Sequence, residues 1–105
     1  MIVVDHAPHW WFLLRDGERL LLDVHCSHGP VDYGWVMALT DDERARYEAD
    51  GRNYLDALAV HVQDSAPGVL GSTSRFVGRD LGRGLDAAIG EAIAAWRAAG
   101  GSGPG

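Results

Sequence analysis

Trp10-Trp11-Phe12-Leu13-Leu14-Arg15-Asp16-Gly17-Glu18-Arg19-Leu20-Leu21-Leu22-Asp23-Val24 is the stretch on which the fold turns. Two apolar runs flank Asp16-Gly17. Asp-Gly suits a tight two-residue turn, whose central residues need positive φ. The stretch therefore predicts a β-hairpin. A turn centred on Asp16 and Gly17 sets Arg15 opposite Glu18, Leu13 opposite Leu20, Trp11 opposite Leu22 and Trp10 opposite Asp23.

That register sorts two faces. One carries Trp11, Leu13, Leu20, Leu22 and Val24 and is apolar throughout. The other carries Trp10, Phe12, Leu14, Arg19, Leu21, Asp23 and His25 and is mixed. The first is the expected core face.

Working outward, Ser27-His28-Gly29-Pro30 reads as a turn, and Tyr33 to Leu39 as a third strand. The connection is too short for a parallel crossover, so this strand pairs antiparallel with the second. Ile2 to Val4 reads as a fourth, edge strand.

Thr40-Asp41-Asp42-Glu43 has the form of a capping box, and two aspartates in the first turn suit the helix dipole. Tyr47, Tyr54, Leu55, Leu58 and Val62 follow at helical spacing, so one helix is expected over 41–64, with Gly51 inside it. Pro67 ends that helix, and residues 65–79 form a long connection. A second helix is expected over 80–98, with the stripe Leu81, Leu85, Ala88, Ile89, Ala92, Ile93 and Trp96. The expected fold class is α+β: an antiparallel β-meander of three or four strands, then two helices packed on one face. The expected domain is residues 1–99, and Gly-rich residues 100–105 read as a flexible tail.

Composition bounds the function classes. The chain has 105 residues, a single domain's length, with 47% apolar and 23% charged residues. Its net charge is −6, and all nine basic residues are Arg. That balance argues against nucleic acid and anionic membrane surfaces as partners, because both are bound through clustered basic residues. It leaves a basic protein partner, a second copy of the chain, small molecules and metals. The single Cys26 excludes an internal disulfide, which fits a reducing compartment. The start of the chain has no signal-peptide pattern, and no apolar run reaches the roughly 20 residues of a membrane span. Cytoplasmic residence is expected. The Arg-for-Lys bias, with abundant Ala and Gly, looks like a GC-rich bacterial genome.

Three groups of residues carry chemistry. His9, His25, Cys26 and His28 gather at the open end of the hairpin, and His and Cys are the ligands zinc prefers. Zinc is the cofactor such a set would hold, and a small enzyme using Cys26 is the related alternative. The spacing matches no strong zinc signature, and adjacent strand residues such as His25 and Cys26 point to opposite faces. Solvated turn histidines and a buried thiol are the ordinary alternative. The interhelix loop gathers Ser72, Thr73, Ser74, Arg75 and Arg79, hydroxyl and guanidinium donors suited to an anion. It lacks the Walker pattern, and a polar surface loop is the competing account. Trp10 and Phe12, beside Arg19 and Asp23, form the third group. Exposed aromatics rimmed by charge resemble a protein-binding patch or homodimer face.

No catalytic motif is present. The leading expectation is therefore a protein-binding module, immunity- or inhibitor-like, meeting its partner through an aromatic and acidic surface. A His/Cys metal protein or small enzyme, and an anion-binding loop, are the alternatives. Any site is expected at the open end of the hairpin or in residues 66–79.

Overall fold

A computed structural model describes residues 1–7, 10–28, 31–65, 76, 79 and 81–100. Four strands, β1 (Ile2–Ala7), β2 (Trp11–Asp16), β3 (Arg19–His28) and β4 (Val31–Ala38), precede helices α1 (Asp41–Asp50), α2 (Arg52–Ser65) and α3 (Gly82–Ala98). The strands form one antiparallel sheet in sequence order. The α+β class with a meander followed by helices is as the sequence implies.

The hairpin forms, but its register differs from the expected one. Asp16 pairs with Arg19, Leu13 with Leu22, and Trp11 with Val24. The turn residues are Gly17 and Glu18, with Gly17 at φ +64° in the first central position. The cross-strand ion pair is thus Arg19 to Asp16, at 3.0 Å, instead of Arg15 with Glu18. The partner strand has slid by two residues. A slip of one would exchange the faces, whereas a slip of two restores the pleat parity. The predicted division of residues between faces therefore survives the changed register.

On the first face, Trp11, Leu13, Leu20, Leu22, Val24, Cys26, Trp35 and Met37 form one buried cluster with Leu55, Leu58, Ala59 and Val62 of α2 and with Phe76. Burying each large apolar side chain contributes about 1.5–3 kcal/mol, so α2 is held mainly by this stripe. The Trp11 indole, itself buried, donates from Nε1 to Asp56 Oδ1 of α2 at 3.0 Å. No residue of α1 is fully buried; Tyr47 packs partly buried against this core, and the helix is otherwise held at its ends.

Both ends have identifiable causes. The Thr40 capping box is present: the Glu43 backbone N–H donates to Thr40 Oγ1 at 3.1 Å, and Thr40 N–H to Glu43 Oε1 at 2.9 Å. At the other end, the helix expected over 41–64 is broken at Gly51, which has φ +65° and ψ −142°. A register shift in β1 between Val3 and Asp5 accompanies this break. Such a bulge lets Val4 pack on the first core while Asp5 also reaches the helices. Asp5 accepts from Tyr47 Oη at 3.3 Å and from Arg52 at 3.0 Å. One carboxylate thus holds the residues on either side of the break. Burial, together with the Asp5 charge and hydrogen bond, raises the Tyr47 hydroxyl above its ordinary pKa.

The helices do not share one face, which corrects the two-layer expectation. α3 lies on the opposite side, where Ile89 packs with Leu14 and Val36, and with partly buried Met1, Val3, Phe12, Leu85, Ala92 and Ile93. The route around the sheet edge is visible at β4. Leu81 N–H donates to Val36 O at 2.7 Å, and the Arg79 guanidinium donates to Ala38 O at 2.8 Å. These bonds occupy carbonyls of an edge strand that would otherwise remain open for pairing. Arg79 also grips Glu43 Oε1 at 2.6 Å and Oε2 at 3.0 Å, and lies over the Phe76 ring.

Burial alone would raise the Glu43 pKa, but the hydrogen bond and charge of Arg79 and the bonds from Thr40 outweigh it, leaving the carboxyl below its ordinary value. The same pair raises Arg79 further above its already high value. A carboxylate with a lowered folded pKa stabilises the fold above the unfolded value, near 4.5, and that contribution fades as pH falls through the folded value. Urea unfolding of Glu43→Gln should therefore show a loss of about 1–2 kcal/mol at pH 7 that narrows towards acid, since the pair is partly solvated. An equal loss at pH 7 and pH 3 would contradict this assignment. Gly51→Ala offers a second check. In a continuous helix it would stabilise by about 1 kcal/mol. At φ +65° it should instead destabilise by about 1–3 kcal/mol, read from the midpoint of thermal or urea unfolding.

Candidate functional site

The second face of the sheet is not wholly filled by α3. Towards the open end of the hairpin, a cleft of about 530 Å³ is lined by His6, Trp10, Phe12, Asp23, His25, Gly34, Ile93, Trp96 and Arg97. Each strand presents alternate residues here: His6 of β1 pairs with Phe12 of β2, Phe12 with Asp23 of β3, and His25 with Gly34 of β4. The last turns of α3 supply Ile93, Trp96 and Arg97, where the 3.6-residue period returns Ile93 and Trp96 to one side.

An ordered ring cluster forms one wall. His6 and Trp96 meet edge to face, with centroids 4.5 Å apart, and Phe12 meets Trp96 at 5.5 Å and 86°. His6 also stacks on Phe12 at 5.8 Å. Such pairs hold ring orientation and add about 0.5–1.5 kcal/mol each beyond area burial. His6 Nδ1 and Trp96 Nε1 are buried with no hydrogen-bond partner among the described residues. An unpaired buried polar atom costs about 1–3 kcal/mol, and both atoms belong to the two rings that meet in this wall.

Gly34 stands out on the sheet floor. Its φ is not in the left-handed region, and a Cβ built on it would meet only Asp23 Oδ1, at 3.5 Å, an ordinary contact. Neither backbone nor sterics calls for glycine. A glycine within a strand forgoes about 0.5–1 kcal/mol and often marks a place where another group approaches closely. At Gly34 the missing side chain leaves the cleft open.

The structure divides the residues singled out in the sequence. Trp10, Phe12 and Asp23 come together in the cleft, whereas Arg19 pairs with Asp16 at the turn end of the hairpin. His25 is exposed at the cleft, and Cys26 is fully buried in the first core, its thiol 3.9 Å from Val24 O. They lie on opposite faces, as adjacent strand residues must. His9 and the side chain of His28 fall outside the described residues, and among the described residues no three or more His, Cys, Asp and Glu side chains are grouped to hold a metal. Ser72, Thr73, Ser74 and Arg75 also lie outside the described residues, as does the tail over 101–105. Arg79 is engaged by Glu43 and by the β4 edge.

Gly34, Trp96 and Arg97 were not anticipated as site residues, whereas His6 belongs to the histidines that the spacing places at the open end of the hairpin. Trp96 ends the predicted apolar stripe, but assigning both helices to one face kept it away from Phe12. The usable signal was a second sheet face rich in large side chains and lacking a cover. No protein-family model matches the chain, and neither the curated proteins nor the solved structures give a match. Among the described residues no helix is long and apolar enough to cross a membrane.

Proposed function

We propose that this domain is a binding module whose recognition element is the cleft between the second sheet face and the end of α3. The observation that carries the proposal is Gly34, which keeps an aromatic-walled cleft open at a position where the fold accepts a side chain. The volume falls in the range of small-molecule sites, roughly 300–1,000 Å³, and the lining combines rings with a few polar groups. Among the described residues nothing in the lining forms a nucleophile–base pair, and the arrangement suits capture better than bond chemistry.

Gly34→Val tests the proposal directly. Valine suits a strand and fills the cleft, so the variant should fold with unchanged or higher stability. A small aromatic compound that raises the melting temperature of the natural chain should lose that effect in the variant. Binding that persists undiminished in Gly34→Val, measured by the melting shift or by Trp fluorescence, would refute the cleft as the recognition element.

A second mode of capture is favoured by α1. No residue of this helix is fully buried, and it exposes Asp41, Asp42, Glu48 and Asp50, in a chain of net charge −6. A solvated acidic helix supports an inhibitor-like domain that meets a basic protein partner, with electrostatic attraction speeding encounter. For a partner held this way, Glu48→Lys with Asp50→Lys should slow association at least tenfold at low salt while leaving dissociation nearly unchanged. Surface plasmon resonance reads both rates, and an unaltered association rate would rule out α1 as the docking face.

A further inference from the structure

We infer that the ligand taken by this cleft is a zwitterionic aromatic molecule, of the class of a free aromatic α-amino acid. The inference rests on the cleft being the recognition element.

The walls select a ring. Phe12 and Trp96 are fixed edge to face and Trp10 lines the same space, so a flat apolar group finds flat surfaces to lie against. The charges select the rest. Among the described residues the lining holds one carboxylate, Asp23, and one guanidinium, Arg97. A purely anionic ligand would face the carboxylate, and a purely cationic one would face the guanidinium. A ligand bearing both signs pairs each charge with its opposite, its ammonium with Asp23 and its carboxylate with Arg97.

Both residues can take these roles. Arg97 is exposed at the last turn of α3 and forms no ion pair with another described residue. A guanidinium presents a planar fork of donors that matches a carboxylate bidentately. Asp23 has other interactions, yet a carboxylate offers about four acceptor positions, so an ammonium group can be added. A Cβ at position 34 would stand 3.5 Å from Asp23 Oδ1, so the glycine leaves that space beside the carboxylate open.

The test uses L-phenylalanine, its methyl ester, N-acetyl-L-phenylalanine and L-alanine as probes, with the indole N–H signals of Trp10 and Trp96 read by proton–nitrogen NMR. L-phenylalanine should shift both signals saturably. The ester lacks the carboxylate, the acetylated form lacks the ammonium, and alanine lacks the ring, so each should bind at least tenfold more weakly. Asp23→Asn should erase the preference over the acetylated form, and Arg97→Gln the preference over the ester, while circular dichroism of both variants stays that of the natural chain. Equal binding of L-phenylalanine and either charge-blocked derivative overturns the inference. So does an L-phenylalanine titration that leaves the Trp96 signal unmoved. If another aromatic compound then binds and is lost in Gly34→Val, the inference alone fails. If no aromatic compound binds in a manner that Gly34→Val abolishes, the cleft reading fails with it.

Discussion

Large apolar side chains on both faces of the central hairpin impose the main constraint on this molecule. Trp11, Leu13 and Leu22 lie on one side, and Phe12, Leu14 and Leu21 on the other. A single helical layer covers one face only, so the chain must supply two covers. α2 provides one and α3 the other. The chain must then pass around an edge of the sheet between them, and it does so at β4, where Arg79 and Leu81 bond to edge carbonyls.

Arg79 joins several consequences of that passage. Its guanidinium reaches the β4 edge, the capping glutamate of α1 and the ring of Phe76, which belongs to the first core. Glu43 therefore caps a helix and anchors the returning chain at once. Asp5 has a similar double role on the opposite edge, where it joins β1 to both sides of the break at Gly51. Helix ends, sheet edges and the connection between layers are held by a few charged groups with more than one partner each.

The cleft is a by-product of the same geometry. α3 covers the half of the second face near Leu14 and Val36 with Ile89. Towards the open end of the hairpin the strands present Phe12, Asp23, His25 and Gly34, and α3 presents Trp96 and Arg97. Polar side chains and a glycine stand there in place of a continuous apolar floor. The proposed binding role thus lies where the second layer stops closing tightly on the sheet.

The amino-acid sequence by itself determined the antiparallel meander, the start of α1 and which residues of the paired strands share a face. Period-two alternation survives a two-residue slip in register, and the Thr40 box marks a helix start from four adjacent residues. It also placed Phe12 and Asp23 on one face. Only the tertiary structure decided which face α3 covers, because an apolar stripe states that a helix must be buried and not against what. Gly51 is equally silent in sequence: glycine is compatible with a helix interior and with a break, and the Asp5 contacts to Tyr47 and Arg52 accompany the break. The cleft, the role of Gly34 and the pairing of Arg79 with Glu43 all depend on residues far apart in the chain. Their meeting is fixed by how two layers close on one sheet, which no local pattern encodes.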